Sequence, residues 1–429
     1  MSRKEQVLNQ DWLAWSHVFA SFLTCLCTLG LSNSFGVFQT YYEHNILNSH
    51  SASSISWIGT TQGFLLSVVA LISGPLYDRG YIKSLMYVGT FLSVVGLLAT
   101  SFADQYSWTF LSFGVIVGLG CGAIYVPGLA IVQDYFTEHA VFATGLSSSG
   151  SSIGGIIYPV LFRRLLGSTG FAWTCRIFAL MNGVLLLAAC LIMKPHKRIE
   201  ESAEKPFNWR TFFDSKLLLF GSCGLFMDIG IDVPFYFIPT FALRELNLSS
   251  EVADFLLAAM NGSSLLGRLS LNLIAGYTMP VWVWQFSILA SCVLLFCWFT
   301  VQSLAGIVTF IVFYGFFVGG LISLVPPSVH STFPESDVFG ARLGLVEGFQ
   351  GVGFLIGPPI AGAILETEAK YLGVSLFLGT IYFALFMVVG VFTWGRGGTS
   401  SSRGGPDGDL ELLVVSPSAG ARSEATSRG

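Results

Sequence analysis

Charged residues are scarce in this sequence. Only 11% of its 429 residues are Asp, Glu, Lys or Arg, whereas a soluble globular domain has about 25%. Hydrophobic residues make up 53% of the chain. This composition excludes an ordinary soluble fold and predicts helices that are surrounded by lipid.

Familiar enzyme and metal-site patterns are also missing. The chain has no phosphate-binding glycine loop of the Walker type and no HExxH motif. Its eight cysteines lie in apolar runs without CxxC spacing, so we expect free buried thiols. We therefore predict no enzymatic activity, no ATP-driven transport, no cofactor, no metal and no nucleic-acid partner.

Twelve long apolar runs are present instead. About 20 apolar residues cross the hydrocarbon core of a bilayer as a helix, and an unpaired backbone group facing lipid is costly, so each run is predicted to be helical. The predicted spans are residues 17–40, 57–77, 84–103, 109–132, 141–162, 173–193, 214–241, 252–276, 281–301, 304–328, 340–364 and 372–394. The expected fold class is an all-α membrane protein.

Polar segments divide these runs six and six. Residues 194–213 are the longest internal hydrophilic stretch and predict a linker between two six-helix bundles, 17–193 and 214–394. Residues 1–16 precede the first run, which is too long for a cleavable signal peptide. Residues 395–429 are rich in Gly and Ser and are predicted to be disordered.

Lys and Arg are distributed unevenly among the loops. If both termini are cytoplasmic, thirteen Lys or Arg between residues 3 and 403 lie in or beside inner loops and tails, and five lie outside. The positive-inside rule therefore predicts a multi-pass protein of the cell membrane with cytoplasmic termini. In this topology the N-glycosylation acceptor Asn247-Leu248-Ser249 faces outward.

The two halves contain related positions 199 residues apart. The matching pairs are Gly63 and Gly262, Gln62 and Asn261, Gly120 and Gly319, Pro127 and Pro326, Gly145 and Gly344, Leu146 and Leu345, Gly154 and Gly353, and Pro159 and Pro358. Gly and Pro are common in membrane helices, so any one of these pairs could match by chance. It is less probable that all of them would share the same offset by chance. We therefore predict a parallel duplication, with related spans in the same orientation.

Ionisable residues inside the spans are the first functional candidates, because each costs about 2.5–3.5 kcal/mol at a helix centre. They are Asp228 and Asp232 in span 7, Arg268 in span 8 and Glu347 in span 11. Asp228 and Asp232 are four residues apart and share a helix face, which favours proton uptake by one of them. The structural alternative is that one carboxylate only neutralises Arg268.

Polar and aromatic residues within the spans are candidates for lining a solute cavity, although such a residue, taken individually, more often serves packing. The candidates are Asn33, Gln39, Gln62, Tyr125, Tyr236, Asn261, Tyr314 and Gln350. Span 5 also carries a run of Gly and Ser between Gly145 and Gly155. We expect this small face to serve close helix packing and not solute binding.

Several motifs resemble fungal monocarboxylate-porter-like members of the major facilitator superfamily. They include the segments 35–42, Phe-Gly-Val-Phe-Gln-Thr-Tyr-Tyr, and 54–59, Ser-Ile-Ser-Trp-Ile-Gly, and the likeness covers about residues 11–394. The segment 74–80, Gly-Pro-Leu-Tyr-Asp-Arg-Gly, resembles the superfamily's loop between helices 2 and 3. The resemblance implies that Asp78 and Arg79 gate the cytoplasmic side.

This chain departs from the animal members of that family which carry lactate with protons. Those members use a helix 1 lysine, and here no Lys lies between Lys4 and Lys83. Their helix 8 aspartate corresponds to Ser264, and only Arg268 is retained. We therefore do not expect their mechanism, and hypothesise that Asp228 or Asp232 supplies the missing carboxylate.

Together these features predict a secondary active transporter with two pseudo-symmetric bundles. Its solute is expected to be a small organic acid or related metabolite, with protons as the candidate coupling ion. Arg268 would attract an anionic group, while Asp232, Asp228 or Glu347 would carry protons. The alternatives are an efflux pump for a secondary metabolite or toxic compound and a transporter-like nutrient sensor.

Overall fold

The computed structural model describes residues 3–136, 139–195, 214–333 and 338–400, and every regular element in these ranges is a helix. Ten of the described helices are long and apolar enough to cross a membrane. One of them, Ala140–Ile192, contains two spans that meet at Gly170, where the backbone leaves the helix with a φ of 78°. With Ser250–Tyr277, these helices account for the twelve predicted spans.

Spans α1 to α6 form the first half. Their bounds are Arg3–Cys27, Leu29–Ser32, Phe35–Tyr41 and a π-turn Tyr42–Ile46 for α1; Ala52–Val68 and Ala70–Asp78 for α2; Ile82–Thr100 for α3; Tyr106–Thr109, Phe110–Val117 and Gly118–Tyr135 for α4; and Ala140–Ile192, divided at Gly170, for α5 and α6.

Spans α7 to α12 form the second half. Their bounds are Ser215–Ile231 and Val233–Arg244 for α7; Ser250–Tyr277 for α8; Pro280–Cys297 and Trp298–Thr300 for α9; Leu304–Ser323 and Val325–Thr332 for α10; Phe339–Leu365 for α11; and Lys370–Ser400 for α12. We call the end of the bundle where α6 ends and α7 begins the linker end.

Two helices extend into the segments that were predicted to lie outside the two bundles at the ends of the chain. α1 begins at Arg3, although residues 1–16 were expected to precede the first span, because the polar stretch continues the same helix. α12 runs to Ser400, into the segment 395–429 that the composition predicts to be disordered. The remaining tail, 401–429, and most of the linker, 196–213, lie outside the described residues.

Several helices begin at a residue whose side chain caps them. The hydroxyls of Ser51, Ser249 and Ser303 accept backbone N–H groups at the starts of α2, α8 and α10. The carboxylate of Asp214 does the same for α7. These contacts satisfy amide groups that have no partner within the helix.

The halves meet along two seams, one between α2 and α11 and one between α5 and α8. A side chain at Gly344 would collide with the carbonyl oxygen of Ala70 in the first seam. In the second, a side chain at Gly145 would lie only 2.6 Å from the carbonyl oxygen of Arg268. Because Gly145 and Gly344 are 199 positions apart, the repeat seen in the sequence corresponds to equivalent close approaches of backbones.

The small face of α5 is used for packing, as predicted. A side chain at Gly150 would collide with the carbonyl oxygen of Phe22 in α1, and Gly154 lies directly against Gly30. All eight cysteines are free thiols, and Cys297 is the exposed one. Close approach of α1, α5 and α8 brings polar groups of α5 within reach of the second half.

Candidate functional site

α7 is interrupted at Asp232, which ends the segment Ser215–Ile231 and precedes Val233–Arg244. Pro234 has no N–H group, so it cannot donate to the carbonyl of Gly230 four residues earlier. The hydroxyl of Tyr314, from α10, donates to the carbonyls of Gly230 and Ile231, at 3.2 Å in each case. The break therefore exposes backbone oxygens that another helix satisfies.

Asp228 lies one turn before Asp232 on the same helix, and both side chains are half-buried. The Gln350 amide, from α11, donates to Oδ1 of Asp228 at 3.3 Å. The carboxyl groups of Asp228, Asp232 and Glu347 are close enough to interact electrostatically. Three ionisable acids thus share one region of the second half.

Arg268, on α8, is buried, with 1% of its surface exposed. Its Nε donates to the Ser152 hydroxyl at 3.1 Å, and its Nη1 donates to the Ser148 carbonyl at 3.2 Å. Both acceptors belong to α5, in the opposite half. No carboxylate oxygen of the described residues lies within 4.0 Å of the guanidinium, although Asp232 interacts with it electrostatically over a longer distance.

The fourth ionisable candidate, Glu347, lies on α11 and faces the hydroxyl of Tyr125 on α4. Both side chains are buried. Because Tyr125 belongs to the first half and Glu347 to the second, this pair joins the halves. Tyr125 also interacts electrostatically with Arg268, so the two pairs belong to one polar region.

A separate polar cluster lies at the linker end. Oδ1 and Oδ2 of Asp78, on α2, accept the backbone N–H groups of Gly340 and Ala341, at 2.8 and 2.7 Å. These amides are at the start of α11, whose own preceding residue, Val338, provides no side-chain cap. Asp78 thus caps a helix of the opposite half, where a negative charge is favourable.

Backbone contact reinforces this junction. A side chain at Gly74 would collide with the carbonyl oxygen of Gly340, and one at Gly340 would lie 2.6 Å from the carbonyl oxygen of Gly74. The charge of Arg342 also interacts with Asp78, and the Tyr77 hydroxyl donates to Asp134. The halves are therefore in close contact at the linker end.

A model of the Major Facilitator Superfamily matches residues 20–338 of the chain. The chain belongs to the Major Facilitator Superfamily. It is a multi-pass membrane transporter and not an enzyme. Members of this family are all-α membrane proteins, which is the fold class that the composition predicted.

Named relatives of this transporter come from fungi. It is 36% identical over 368 residues to the agnestins efflux protein AgnL12 of Paecilomyces divaricatus, covering 84% of this chain and 83% of the relative. It is 34% identical over 363 residues to the MFS-type transporter DbaD of Emericella nidulans, covering 83% and 80%. The aspyridones efflux protein ApdF of Emericella nidulans is 31% identical over 384 residues, covering 89% and 77%.

Solved structures share the fold at low sequence identity. The human organic anion transporter MFSD10 (TETRAN) has a TM-score of 0.67 and 14% identity, covering 91% of this chain and all of that one. The transporter FucP, in an outward conformation, also has a TM-score of 0.67 and 14% identity, covering 87% and 97%. At this identity the likeness concerns the fold alone.

Ten of the predicted site residues lie at three locations in the fold. Asp228, Asp232, Tyr125, Arg268, Tyr314, Glu347 and Gln350 are linked by the hydrogen bonds and electrostatic interactions described above. Asp78 and the neighbouring Arg79 lie at the linker end. Asn247 is exposed between α7 and α8, with a φ of 50°.

Some predicted cavity residues have their polar atoms engaged within the protein. The amide of Asn261 is buried, donates to the Leu257 carbonyl at 3.1 Å and packs against Gly155. The hydroxyl of Tyr314 is occupied by the α7 break. In contrast, Tyr236 and Asn33 are half-buried, and neither side chain has a hydrogen bond within the described residues.

Ser148, Ser152 and Tyr382 were not predicted as site residues. The two serines were assigned to the packing face of α5, and only the tertiary structure shows that they bind Arg268. Tyr382, on α12, donates its hydroxyl to the Met227 carbonyl at 2.9 Å. One signal was available in the sequence, because Ser148 is 199 residues before Glu347 and so occupies the related position of the first half.

The same offset relates the breaks in α1 and α7. Asn33 ends the segment Leu29–Ser32 in α1, and Asp232, 199 residues later, ends the first segment of α7. Both helices are therefore interrupted at equivalent positions of the repeat. In the first half the break carries a neutral amide, whereas in the second half it carries a carboxyl group.

Proposed function

We propose that this transporter exports an acidic, largely apolar secondary metabolite across the plasma membrane. The observation that carries the proposal is the buried Arg268, which no carboxylate of the described residues contacts. A buried charge that has no counter-ion in direct contact is costly inside a membrane protein. A solute anion that binds beside Arg268 would offset this cost.

The named relatives favour export over uptake. AgnL12 and ApdF are both named as efflux proteins, for agnestins and aspyridones respectively. A small organic acid, as in the monocarboxylate-porter-like proteins that the sequence resembles, is the second candidate, because Arg268 is the residue shared with them. A nutrient sensor has no observation in its favour.

Asp232 is the proposed proton-carrying residue. Its side chain is half-buried at the break in α7, accepts no hydrogen bond within the described residues and interacts with Arg268. Asp228 is held by Gln350, and Glu347 is buried against Tyr125. Asp228 and Glu347 are the secondary candidates for carrying protons. The charge of Asp228 also acts electrostatically on Asp232 and Glu347.

The charges predict how solute and proton are linked. A deprotonated Asp232 competes with the solute's anionic group for Arg268, whereas a protonated Asp232 does not. One proton and one monoanion therefore bind together, and their movement is electroneutral. Synthesis inside the cell, and not the membrane potential, would then drive export.

Access to the site alternates between the two sides of the membrane. We assign the linker end to the cytoplasm, as the distribution of Lys and Arg predicts, and the contact of Asp78 with α11 closes that side. Arg79, next in sequence, is the second gating candidate. Asn33 and Tyr236, at the two breaks, are proposed to contact the solute from either half.

The test compares metabolites inside and outside cells with and without the transporter, without selecting compounds in advance. We expect an acidic compound to accumulate outside only when the transporter is present. Cells with Arg268→Ala should resemble cells without the protein, and cells with Arg164→Ala, an exposed arginine, should resemble wild type. If only neutral or cationic compounds responded, the assignment of an acidic solute would be wrong.

A further inference from the structure

The break in α7 is held by two tyrosines that come from other helices. Tyr314 of α10 donates to the carbonyls of Gly230 and Ile231, and Tyr382 of α12 donates to the carbonyl of Met227. Both tyrosine side chains are fully buried. Together they bond three of the five carbonyls that precede Asp232.

The local sequence of α7 creates room for these hydroxyls. Gly230 has no side chain, and a Cβ there would lie only 2.5 Å from the ring of Tyr382. Pro234 removes the N–H group that would otherwise bond the Gly230 carbonyl. Thus Gly230 admits the Tyr382 ring, while Pro234 leaves a carbonyl that needs the Tyr314 hydroxyl.

The first half lacks equivalent residues. The positions 199 residues before Tyr314 and Tyr382 are Val115 and Gly183, neither of which has a hydroxyl. At the break in α1, the hydroxyl of Ser34 instead donates to the Gly30 carbonyl within the same helix. Among the described residues, tyrosine hydroxyls that donate to the backbone carbonyls of a break are thus found in the half whose break carries a carboxyl group.

Both tyrosines are also electrostatically coupled to that carboxyl group. Asp232 interacts with Tyr314 and with Tyr382, and Asp228 interacts with Tyr382. Without the two hydroxyls, the carbonyls of Met227, Gly230 and Ile231 would lose hydrogen bonds that fix their orientation. Asp232 follows these residues directly, so its position would change with the backbone.

We propose that Tyr314 and Tyr382 are positioning residues, which hold the end of the first α7 segment so that the Asp232 carboxyl group faces Arg268. This inference rests on the proposed proton-carrying role of Asp232. It replaces the expectation that Tyr314 contacts the solute. Neither tyrosine exchanges the proton itself.

The experiment uses the purified full-length transporter and dicyclohexylcarbodiimide, which reacts with protonated carboxyl groups in apolar surroundings. Labelling of Asp232 is located by peptide mass spectrometry and followed against pH in wild type, Tyr314→Phe and Tyr382→Phe. Each substitution keeps the ring and removes the hydroxyl. We expect the pH midpoint of labelling to shift by roughly half to one pH unit, the size that loss of a hydrogen bond allows.

Two tyrosines serve as matched controls. The Tyr371 hydroxyl has no hydrogen bond within the described residues, so Tyr371→Phe should leave the midpoint unchanged. Tyr158 donates to Asn182 in the first half, so Tyr158→Phe removes a buried hydrogen bond that does not involve α7. An equal shift in Tyr158→Phe would mean that any buried hydroxyl has this effect, and would overturn the inference.

The remaining outcomes separate the two proposals. If Asp232 labelling depends on pH in wild type but Tyr314→Phe and Tyr382→Phe do not shift it, the positioning role is wrong and the proton role stands. If wild-type labelling is independent of pH, the proton role fails. In that case, amide hydrogen exchange of residues 227–236 tests whether the tyrosines hold the break. Exchange that is unchanged in both Tyr314→Phe and Tyr382→Phe would contradict the positioning role as well.

Discussion

The guanidinium of Arg268 donates to the hydroxyl of Ser152 across the seam between the two halves, at 3.1 Å. A buried cation of the second half is thus anchored on a helix of the first half. Because alternating access moves the halves relative to each other, this bond is expected to change during transport. Binding at Arg268 is therefore linked directly to the arrangement of the halves.

Substitutions at Arg268 should distinguish the effect of its positive charge on export from the effect of its hydrogen bonds to Ser152 and Ser148. Arg268→Ala removes the cation and should reduce export of the acidic solute by more than about tenfold. Arg268→Lys keeps the charge but cannot bond Ser152 and Ser148 in the same fork, so an intermediate rate is expected. The measurement is the initial rate of solute appearance outside cells, normalised to the amount of transporter in the membrane.

Ser152→Ala is the control that removes one hydrogen bond of Arg268 and keeps its charge. Loss of one such hydrogen bond costs about 0.5–3 kcal/mol, so stability should fall modestly while the anionic solute still binds. Full export by Arg268→Ala, at normal protein levels, would exclude a solute-binding role for this arginine.

Asp232→Asn should abolish the pH dependence of export. The amide resembles a permanently protonated carboxyl group, so the solute should still bind but its movement should no longer carry a proton. Export would then become electrogenic, and clamping the membrane potential with potassium and valinomycin should change its rate. The measurement is solute flux at several external pH values, with and without the clamp.

Asp228→Asn is the matched variant, one turn away and already bonded to Gln350. We expect it to retain pH-dependent export with a smaller change in rate. If Asp232→Asn kept the wild-type pH profile, the proton-carrying role would have to be given to another residue.

Asp78→Ala should loosen the contact at the linker end. Removal of a helix cap costs about 0.5–2 kcal/mol, so the contact between Asp78 and the start of α11 should open several-fold more often. Amide hydrogen exchange of residues 340–345 should increase accordingly. Asp104→Ala, at an exposed loop position, should leave this exchange unchanged, and equal exchange in both variants would argue against the cap.

Gly74→Ala should impair closure of the same end. Its new methyl group would collide with the Gly340 carbonyl, and overpacking typically costs about 1–3 kcal/mol. We expect a lower melting temperature or a slower export rate. Gly36→Ala is the control, because nothing lies within 4 Å of a Cβ at that position, and it should behave as wild type.

Asn247 should carry an N-linked glycan if the loop between α7 and α8 faces outward. The residue is exposed, and the Ser249 hydroxyl of the acceptor motif caps α8. Treatment with an N-glycosidase should increase electrophoretic mobility of the wild type, and Asn247→Gln should remove the shift. A shift that persists in Asn247→Gln would place the glycan elsewhere.

The sequence by itself determined the spans, the repeat and the chemically unusual residues. Long apolar runs must be helices in lipid, so composition predicted the all-α fold. The constant offset of 199 relates Gly145 to Gly344, and both glycines lie at close backbone contacts between the halves. Asp228, Asp232, Arg268 and Glu347 stood out because charges are costly inside a membrane.

Only the tertiary structure decided which of these groups already have partners. The rotation of each helix places Ser148 and Ser152 against Arg268, Gln350 against Asp228 and Tyr125 against Glu347. Tyr382 reaches the α7 break from a helix more than 150 positions away in the chain. Sequence patterns record which residues share a helix face, but contacts between helices depend on rotation and packing, which a single sequence does not specify.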